Sequence, residues 1–198
     1  MKLLLATRNR HKLAEIRDIF SLPHCELLAS DDVPGLPADL EEDADTFEGN
    51  ALKKARALRD ASGLWTLADD SGLEVAALGG APGVHSARFA GEPCDHARNN
   101  AKLLAALSGV ADRRARFRCV LALCAPDGRE WTLEGVCNGT IAESPSGEEG
   151  FGYDPLFLPE GSPASFAAMP SAEKNRISHR ARALALAAVQ WRGLLSYP

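Results

Sequence analysis

Two adjacent carboxylates, Asp69 and Asp70, end the apolar run of the segment LADDSGLEV and meet the small pair Ser71-Gly72. Repulsion and desolvation make such a pair costly, so it indicates either a capped turn or a bound cation. Proteins hold Mg²⁺ with one or two carboxylates plus waters and phosphates, so one Asp and a remote Glu would suffice. Consecutive side chains of a strand point to opposite faces, so both carboxylates would not enter one site. Spacing alone leaves the turn cap and the metal ligand equally open.

The segment TRNRHK follows an apolar run and precedes a helical pattern, so it lies where a strand meets a helix. Free amide groups and the positive end of the helix dipole suit a phosphate at such a junction. Thr7, Asn9 and Lys12 could bind that phosphate, or Thr7 and Asn9 could simply cap the helix. The sequence contains no glycine-rich P-loop and no GxGxxG motif, which excludes the Walker and Rossmann modes of phosphate binding.

An acidic segment, DDVPGLPADLEEDAD, places Glu41 and Glu42 just ahead of a helix that carries Lys53 and Lys54. These groups could serve a metal or phosphate site, or they could be ordinary solvated charges.

Two later segments could recognise a nucleoside. In FGYDP, residues 151–155, the aromatic rings can stack on a base and the glycine allows a base to approach the backbone closely. The Asp154 carboxylate can accept a hydrogen bond from a base N–H. Aromatic residues next to Gly and Pro also commonly anchor loops, so that interpretation stays open. In MPSAEKNRISHRARAL, a helix is predicted to begin at Ser178 after a cationic turn with Lys174 and Arg176. His179 and Arg180 at its start could donate to carbonyl oxygens or phosphate, or could be surface cations behind an N-cap serine.

Strands and helices alternate around these groups, which predicts an α/β protein with a mixed sheet. Apolar runs predict strands over 2–6, 25–29 and 65–69, and a long hairpin within 114–142 that turns at Asp127-Gly128. Helical spacing predicts helices over 9–20, 46–61 with Thr46 as N-cap, 95–107 and 178–192, with an irregular glycine-rich loop around a short strand over 72–91.

Composition limits the function classes. The chain has 198 residues and a net charge of -5, so no overall basic field would attract nucleic acid, and the cluster DRRARFR reads as a strand with a solvated arginine face. Five cysteines without a CxxC pair disfavour a zinc site or disulfide framework. The start MKLLLATRNRHK is too short and too quickly charged for a signal peptide, and no run reaches transmembrane length. We expect a cytoplasmic protein.

Six ordered motifs resemble the inosine/xanthosine triphosphate pyrophosphatase family, which is also called Ham1-like. They are TRNRHK, TFEGNALKKA, LADDSGLEV, GGAPGVHSARFAG, FGYDPLF and AEKNRISHRARAL. The resemblance implies one domain over residues 1–198 with an elongated mixed β-sheet, helices on its flanks, and two lobes around a deep central cleft. It also implies a homodimer that hydrolyses ITP, dITP and XTP to the nucleoside monophosphate and pyrophosphate with Mg²⁺, and that binds neither nucleic acid nor membrane.

The resemblance further implies roles for individual residues. Asp70 is the expected general base and, with Glu41, a metal ligand, while Glu42 is the alternative to Glu41. Arg180 or His179 donating to the purine O6 would favour keto bases over adenine. Asp69 is expected to lie on the other side of the strand and support the turn. The expected substrate contacts are Thr7, Arg8, Asn9, Arg10, His11, Lys12, Lys54, Ser71, Phe151, Gly152, Tyr153, Asp154, Lys174, His179 and Arg180.

Three alternatives stay open at this stage. A nucleotide or metal sensor could keep the site without turnover, although it would not need a general base. A pyrophosphatase for another modified nucleotide is the second alternative, and Arg8, where relatives often carry Gly, is the position expected to alter preference. Nucleic-acid binding is the third.

Overall fold

The structure, a computed structural model, describes residues 1–20, 24–37 and 40–195. Six strands are present in these ranges: β1 Lys2–Leu5, β2 Glu26–Ala29, β3 Trp65–Val75, β4 Arg114–Cys124, β5 Glu130–Ile141 and β6 Phe157–Pro159. The α-helices in the same ranges are α1 Arg10–Ile19, α2 Phe47–Ser62, α3 His96–Ala106, α4 Ser171–Ile177, α5 His179–Gln190 and α6 Arg192–Leu195.

The strands form one mixed sheet in the order β2-β1-β3-β4-β5-β6. β1 is parallel to both β2 and β3, whereas β5 and β6 are antiparallel. The parallel strands are separated in the chain by helices, and the sheet continues through the strand pair joined at Asp127-Gly128. The predicted α/β class with a mixed sheet is confirmed.

The chain divides into two compact units, and three strands contribute residues to both. The first unit comprises Met1–Asp70, Cys119–Gly135 and Arg180–Pro198, and the second comprises Ser71–Arg118 and Val136–His179. Within the first unit, apolar side chains of β1, α1, β4 and α5 form a buried core. Within the second, Leu73, Phe117 and Phe157 belong to a separate buried cluster. The expectation of a single domain with a central cleft stays a prediction.

Helix starts follow the capping expectations. The Asn9 side chain accepts hydrogen bonds from the first-turn amides of α1, and the Thr46 hydroxyl accepts from Gly49 N at 3.0 Å. Asp95 caps α3 in the same way, accepting from Arg98 N at 3.0 Å. These side chains accept hydrogen bonds from first-turn amides that have no partner within the helix. A polar residue followed by apolar residues at helical spacing therefore predicted these helix starts correctly.

The turn predicted at Ser71-Gly72 is wrong, because β3 continues through it to Val75. Leu73 and Val75 are both 0% exposed and alternate with half-buried Glu74, so burial of this apolar face overrides the local turn preference. Asp69 and Asp70 therefore lie inside a strand and do not cap a turn. The irregular loop begins after Val75, with two short 3₁₀ segments.

The last helical region also differs from the prediction. Lys174 and Arg176 lie in the helix α4 and not in a turn. Ser178 is extended, with φ -65° and ψ 160°, and separates α4 from α5. The predicted helix over 178–192 thus corresponds to α5 and the start of α6.

The predicted arginine face of β4 is confirmed in part as a solvated one. The side chains of Arg114 and Arg116 are 77% and 51% exposed, whereas Arg118 is 27% exposed. Glu74 accepts from Arg116 Nε at 2.6 Å and from Arg118 Nη1 at 2.8 Å, so a carboxylate of β3 neutralises much of the row. Cys119 and Cys124 are buried and form no disulfide. None of the helices in the described part of the chain combines the length and the apolar character that a membrane span requires.

A substitution at Gly139 tests the close pairing of β5 with β6. A Cβ at this position would lie 2.2 Å from the Leu158 carbonyl oxygen, so we expect Gly139→Ala to lower the free energy of unfolding by about 1–3 kcal/mol. Gly193→Ala is the matched control, because a Cβ there meets nothing within 4 Å and the residue lies in α6. Urea unfolding of the two variants gives the comparison, and equal stabilities would contradict the described pairing.

Candidate active site

Asp69 lies at the centre of a buried cluster of charges in the first unit. Its Oδ2 accepts from Arg180 Nε at 3.2 Å and Nη2 at 3.0 Å, and Lys12 Nζ lies 3.2 Å from the same oxygen. The side chains of Asp69 and Arg180 are 0% and 1% exposed. Burial by itself raises the pKa of the Asp69 carboxyl, but Lys12 and Arg180 outweigh burial and hold that pKa well below its ordinary value. Asp69 is therefore an ionised carboxylate, not a turn support.

Asp69, Lys12 and Arg180 come from three different elements of the structure. β3 carries Asp69, α1 brings Lys12 in its first turn, and Arg180 is the second residue of α5. Glu15, one turn after Lys12 on α1, accepts from Arg180 Nη1, so the guanidinium lies between two carboxylates. Sequence reasoning missed Glu15, although its spacing of three from Lys12 places both on one helix face.

Asp70 has different partners from those of its neighbour. Lys54 Nζ donates to Asp70 Oδ1 at 3.0 Å and to Glu42 Oε1 at 2.9 Å, so one ammonium group joins two carboxylates. Burial raises the pKa of the Asp70 carboxyl, and Lys54 offsets only part of that rise. Burial opposes the charge of Lys54 as well, but Asp70 and Glu42 outweigh it and raise the pKa of this lysine. The charged partners of Asp70 are thus fewer than those of Asp69.

The acidic loop presents its carboxylates in alternation. Glu41 Oε2 and Asp43 Oδ1 lie 3.4 and 2.5 Å from Lys53 Nζ, on an exposed surface. Glu42 alone of these three contacts Lys54, the lysine that also binds Asp70. Of the two glutamates left open by the sequence, the geometry brings Glu42 to Asp70.

The donor set of Asp70 and Glu42 fits a magnesium ion. Mg²⁺ prefers carboxylate oxygens and needs only one or two from the protein when phosphates and waters complete its shell. Over residues 1–20, 24–37 and 40–195, no group of three or more His, Cys, Asp or Glu side chains has metal-holding geometry. Asp70 and Glu42, which share the Lys54 ammonium, offer two carboxylates, the number that suits a cation whose shell phosphates and waters complete.

The segment at the start of α1 is organised chiefly by capping. Asn9 Oδ1 accepts from the amides of His11 and Lys12 at 3.0 and 3.2 Å, and Thr7 Oγ1 accepts from Asn9 N at 3.2 Å. Arg8 Nη2 donates to the Pro37 carbonyl at 3.1 Å, while Arg10 and His11 are exposed. The capping interpretation is confirmed, and phosphate binding by residues 7–12 stays a prediction. Lys12 is the member that reaches the buried carboxylates.

A second cluster, within the second unit, is built on Asp154. Its Oδ2 accepts from Phe151 N at 2.8 Å and from Lys174 Nζ at 2.6 Å, and Asp154 is 3% exposed. The Lys174 ammonium also lies 5.1 Å from the centroid of the Phe151 ring, within reach of a cation–π contact. A Cβ at Gly150 would lie 2.1 Å from Asp154 Oδ2, so the residue there must be glycine. Asp154 thus joins the backbone of this loop at Phe151 to the Lys174 side chain of α4.

The remaining predicted contacts lie in several places within the structure. Tyr153 is 3% exposed and donates its hydroxyl to the Ser86 carbonyl at 2.9 Å, which makes it an anchor. The His179 ring stacks on Phe117 with centroids 4.7 Å apart and an interplanar angle of 12°. Gly152 has φ +64°, a conformation that favours glycine, and Ser71 is half-buried on β3.

The comparison with known proteins agrees with this arrangement of motifs. The model of the Ham1 family matches residues 3–190. The chain belongs to the Ham1 family. It is 49% identical to the dITP/XTP pyrophosphatase of Geobacter sulfurreducens, with 98% of each chain covered. It is 50% identical to the protein of the same name from Desulforamulus reducens, over 93% of this chain and 92% of the relative. The structure of a HAM1 protein from Coxiella burnetii covers 99% of this chain and 98% of its own, with a TM-score of 0.88 and 38% identity.

For this member of the Ham1 family, the two adjacent aspartates should differ in their effect on stability. Asp69→Asn leaves Lys12 and Arg180 buried with one carboxylate fewer, so we expect the free energy of unfolding to fall by about 3–5 kcal/mol. Asp70→Asn should lower it by less, because Asp70 contacts one cation where Asp69 contacts two, and Lys54 keeps Glu42 as a carboxylate partner.

Urea denaturation of both variants at pH 7 makes this comparison directly. Comparable losses in the two variants would mean that the network around Asp69 does not carry the stability assigned to it.

Proposed function

We propose that this chain hydrolyses the non-canonical purine nucleoside triphosphates ITP, dITP and XTP to the nucleoside monophosphate and pyrophosphate. The observation that carries the proposal is the pair of carboxylates, Asp70 and Glu42, that share the Lys54 ammonium beside the cluster of Lys12 and Asp69. Relatives about 50% identical are named dITP/XTP pyrophosphatases, which supports the same reaction and base preference here. Removal of such nucleotides from the pool is the corresponding cellular role.

Asp70 and Glu42 are the residues that would hold Mg²⁺, with Glu42 replacing Glu41 in the original expectation. The ion supplies charge neutralisation on the phosphates and on the leaving pyrophosphate. Lys54 lies between the two carboxylates and Lys12 lies nearby in the same unit, so both ammonium groups can neutralise phosphate oxygens.

Asp70 acts as the general base in this proposal. Its carboxylate accepts a proton from a water molecule, whose oxygen attacks the α-phosphorus as the bond to the bridging oxygen breaks. Pyrophosphate leaves with that electron pair, and Asp70 returns its proton to solvent. Asp69, whose pKa is lowered, does not suit that role and instead holds Lys12 and Arg180.

Base recognition is proposed for the residues of the second cluster, and Arg180 or His179 stays the proposed donor to the purine O6. A donor directed at the purine O6 is satisfied by hypoxanthine or xanthine and meets another donor on adenine. Phe151 offers a half-buried ring, and Asp154 and Lys174 fix the backbone that carries it. Gly152, Tyr153, His179 and Ser71 complete the proposed nucleoside contacts, and Thr7 to Lys12 the proposed phosphate contacts.

We further propose a cytoplasmic homodimer that needs neither nucleic acid nor membrane for its reaction. The net charge of -5 disfavours a nucleic-acid partner. Free cysteines, three of them buried, are typical of a reducing compartment.

Pyrophosphate release with Mg²⁺ tests the reaction and the base rule together. We expect rapid release from ITP, dITP and XTP, slow release from ATP, GTP and dTTP, and a loss of several orders of magnitude in Asp70→Asn. Near-normal turnover in Asp70→Asn would remove this residue from the mechanism. Tight nucleotide binding without release from any substrate would favour a sensor.

A pair of neighbouring variants identifies the second carboxylate. We expect Glu42→Gln to lower kcat/KM at least 100-fold and to raise the Mg²⁺ concentration needed for half-maximal rate, because Glu42 contacts the lysine that binds Asp70. Glu41→Gln should stay within about threefold of wild type, since Glu41 is 82% exposed and contacts Lys53. The reverse ranking would assign the metal site to Glu41.

A further inference from the structure

Asn50, on α2, holds the acidic loop through both ends of its side-chain amide. Its Oδ1 accepts from Ala44 N at 2.9 Å, and its Nδ2 donates to the Ala44 carbonyl at 3.4 Å. The residue is 0% exposed. A buried amide that pairs with both backbone groups of one loop residue fixes the position and the rotation of that residue.

The preceding glycine allows the loop to approach this closely. A Cβ at Gly49 would lie 2.8 Å from the Ala44 Cβ and 3.1 Å from Thr46 Oγ1, which itself accepts from Gly49 N. A methyl group at this position would push the loop away from α2. Gly49, Asn50 and the Thr46 cap therefore set one distance between the helix and the loop.

Fixing Ala44 also fixes which acidic side chain turns toward the buried lysine. Successive side chains of an extended segment alternate in direction, so Glu41 and Asp43 share one side, where Lys53 lies, and Glu42 takes the other. The side chain of Glu42 is 39% exposed, compared with 82% for Glu41. A slip of one residue would exchange the two sides.

We propose that Asn50 is a positioning residue, which sets the register of the acidic loop and thereby places Glu42 beside Lys54 and Asp70. Asn50 and Lys54 are four residues apart on α2, so both lie on one face of the helix. On α2, the Asn50 side chain therefore binds the backbone of the acidic loop, and the Lys54 side chain binds the Glu42 carboxylate of the same loop. The catalytic part of this proposal rests on the proposed function, whereas the register itself does not.

Hydrogen exchange and metal binding test the register without turnover. Asn50→Leu removes both bonds to Ala44 at similar volume, so exchange of the Ala44 amide should accelerate at least tenfold, whereas Asn50→Asp, which keeps the acceptor, should protect it. Affinity for Mn²⁺ alone, measured by calorimetry, should fall about tenfold or more in Asn50→Leu. Leu58→Ala is the control, because it removes a buried side chain of α2 two turns beyond Asn50 and keeps both bonds to Ala44, so it should leave both quantities unchanged.

A double-mutant cycle between Asn50→Leu and Glu42→Gln then links register to catalysis. If Asn50 acts through Glu42, the two losses in kcat/KM should be far from additive, and the double variant should resemble Glu42→Gln. Additive losses, or an unchanged Mn²⁺ affinity despite rapid Ala44 exchange, would overturn the positioning role. Absence of pyrophosphate release from wild type would refute the proposed function alone, and the exchange and Mn²⁺ data would still decide the register.

Discussion

The buried Asp69 carboxylate is the constraint on which the arrangement of the first unit depends. A carboxylate with a fully buried side chain is tolerated only when cations and hydrogen bonds replace its lost hydration. Lys12 from α1 and Arg180 from α5 supply that replacement, and Glu15 balances the second cation. The charges of two helices and a central strand therefore have to meet at one oxygen, which fixes where the first turn of each helix lies.

Adjacent carboxylates acquire different chemistry because their surroundings differ. Asp69 is dominated by cations and its pKa is lowered, while burial dominates at Asp70 and its pKa is raised. Alternation along β3 makes this possible, since neighbours in sequence meet different partners. Lys12 and Lys54 both offset the repulsion between the two carboxylates, and Arg180 adds a further cation at Asp69. One aspartate holds two cations of the framework, and the other is the residue to which the proposed reaction assigns the cation and the proton.

Much of the fold was predictable because its signals are local. The strand β1, the caps Asn9 and Thr46, and the turn at Asp127-Gly128 each follow from a few consecutive residues. The continuation of β3 through Ser71-Gly72 was not, because it depends on burial of Leu73 and Val75 by residues distant in sequence. The candidate site likewise contains some residues that local motifs predicted and others that they did not. Motifs located Asp70, Lys54 and Lys12, but Glu15 and the choice of Glu42 over Glu41 depend on tertiary partners.

Side chains that alternate in direction separate Asp69 from Asp70 and also Glu41 from Glu42. In each pair, the backbone pairing of the segment determines which side chain points toward the interior. For β3, pairing with β1 in the sheet fixes the register and therefore the direction of each side chain. Residues 40–45 belong to no strand, so a side-chain amide takes the place of such pairing, and Asn50 bonds Ala44 as a paired strand would. A carboxylate on a loop can thus be placed as reliably as one on a strand when a buried polar side chain supplies the missing pairing.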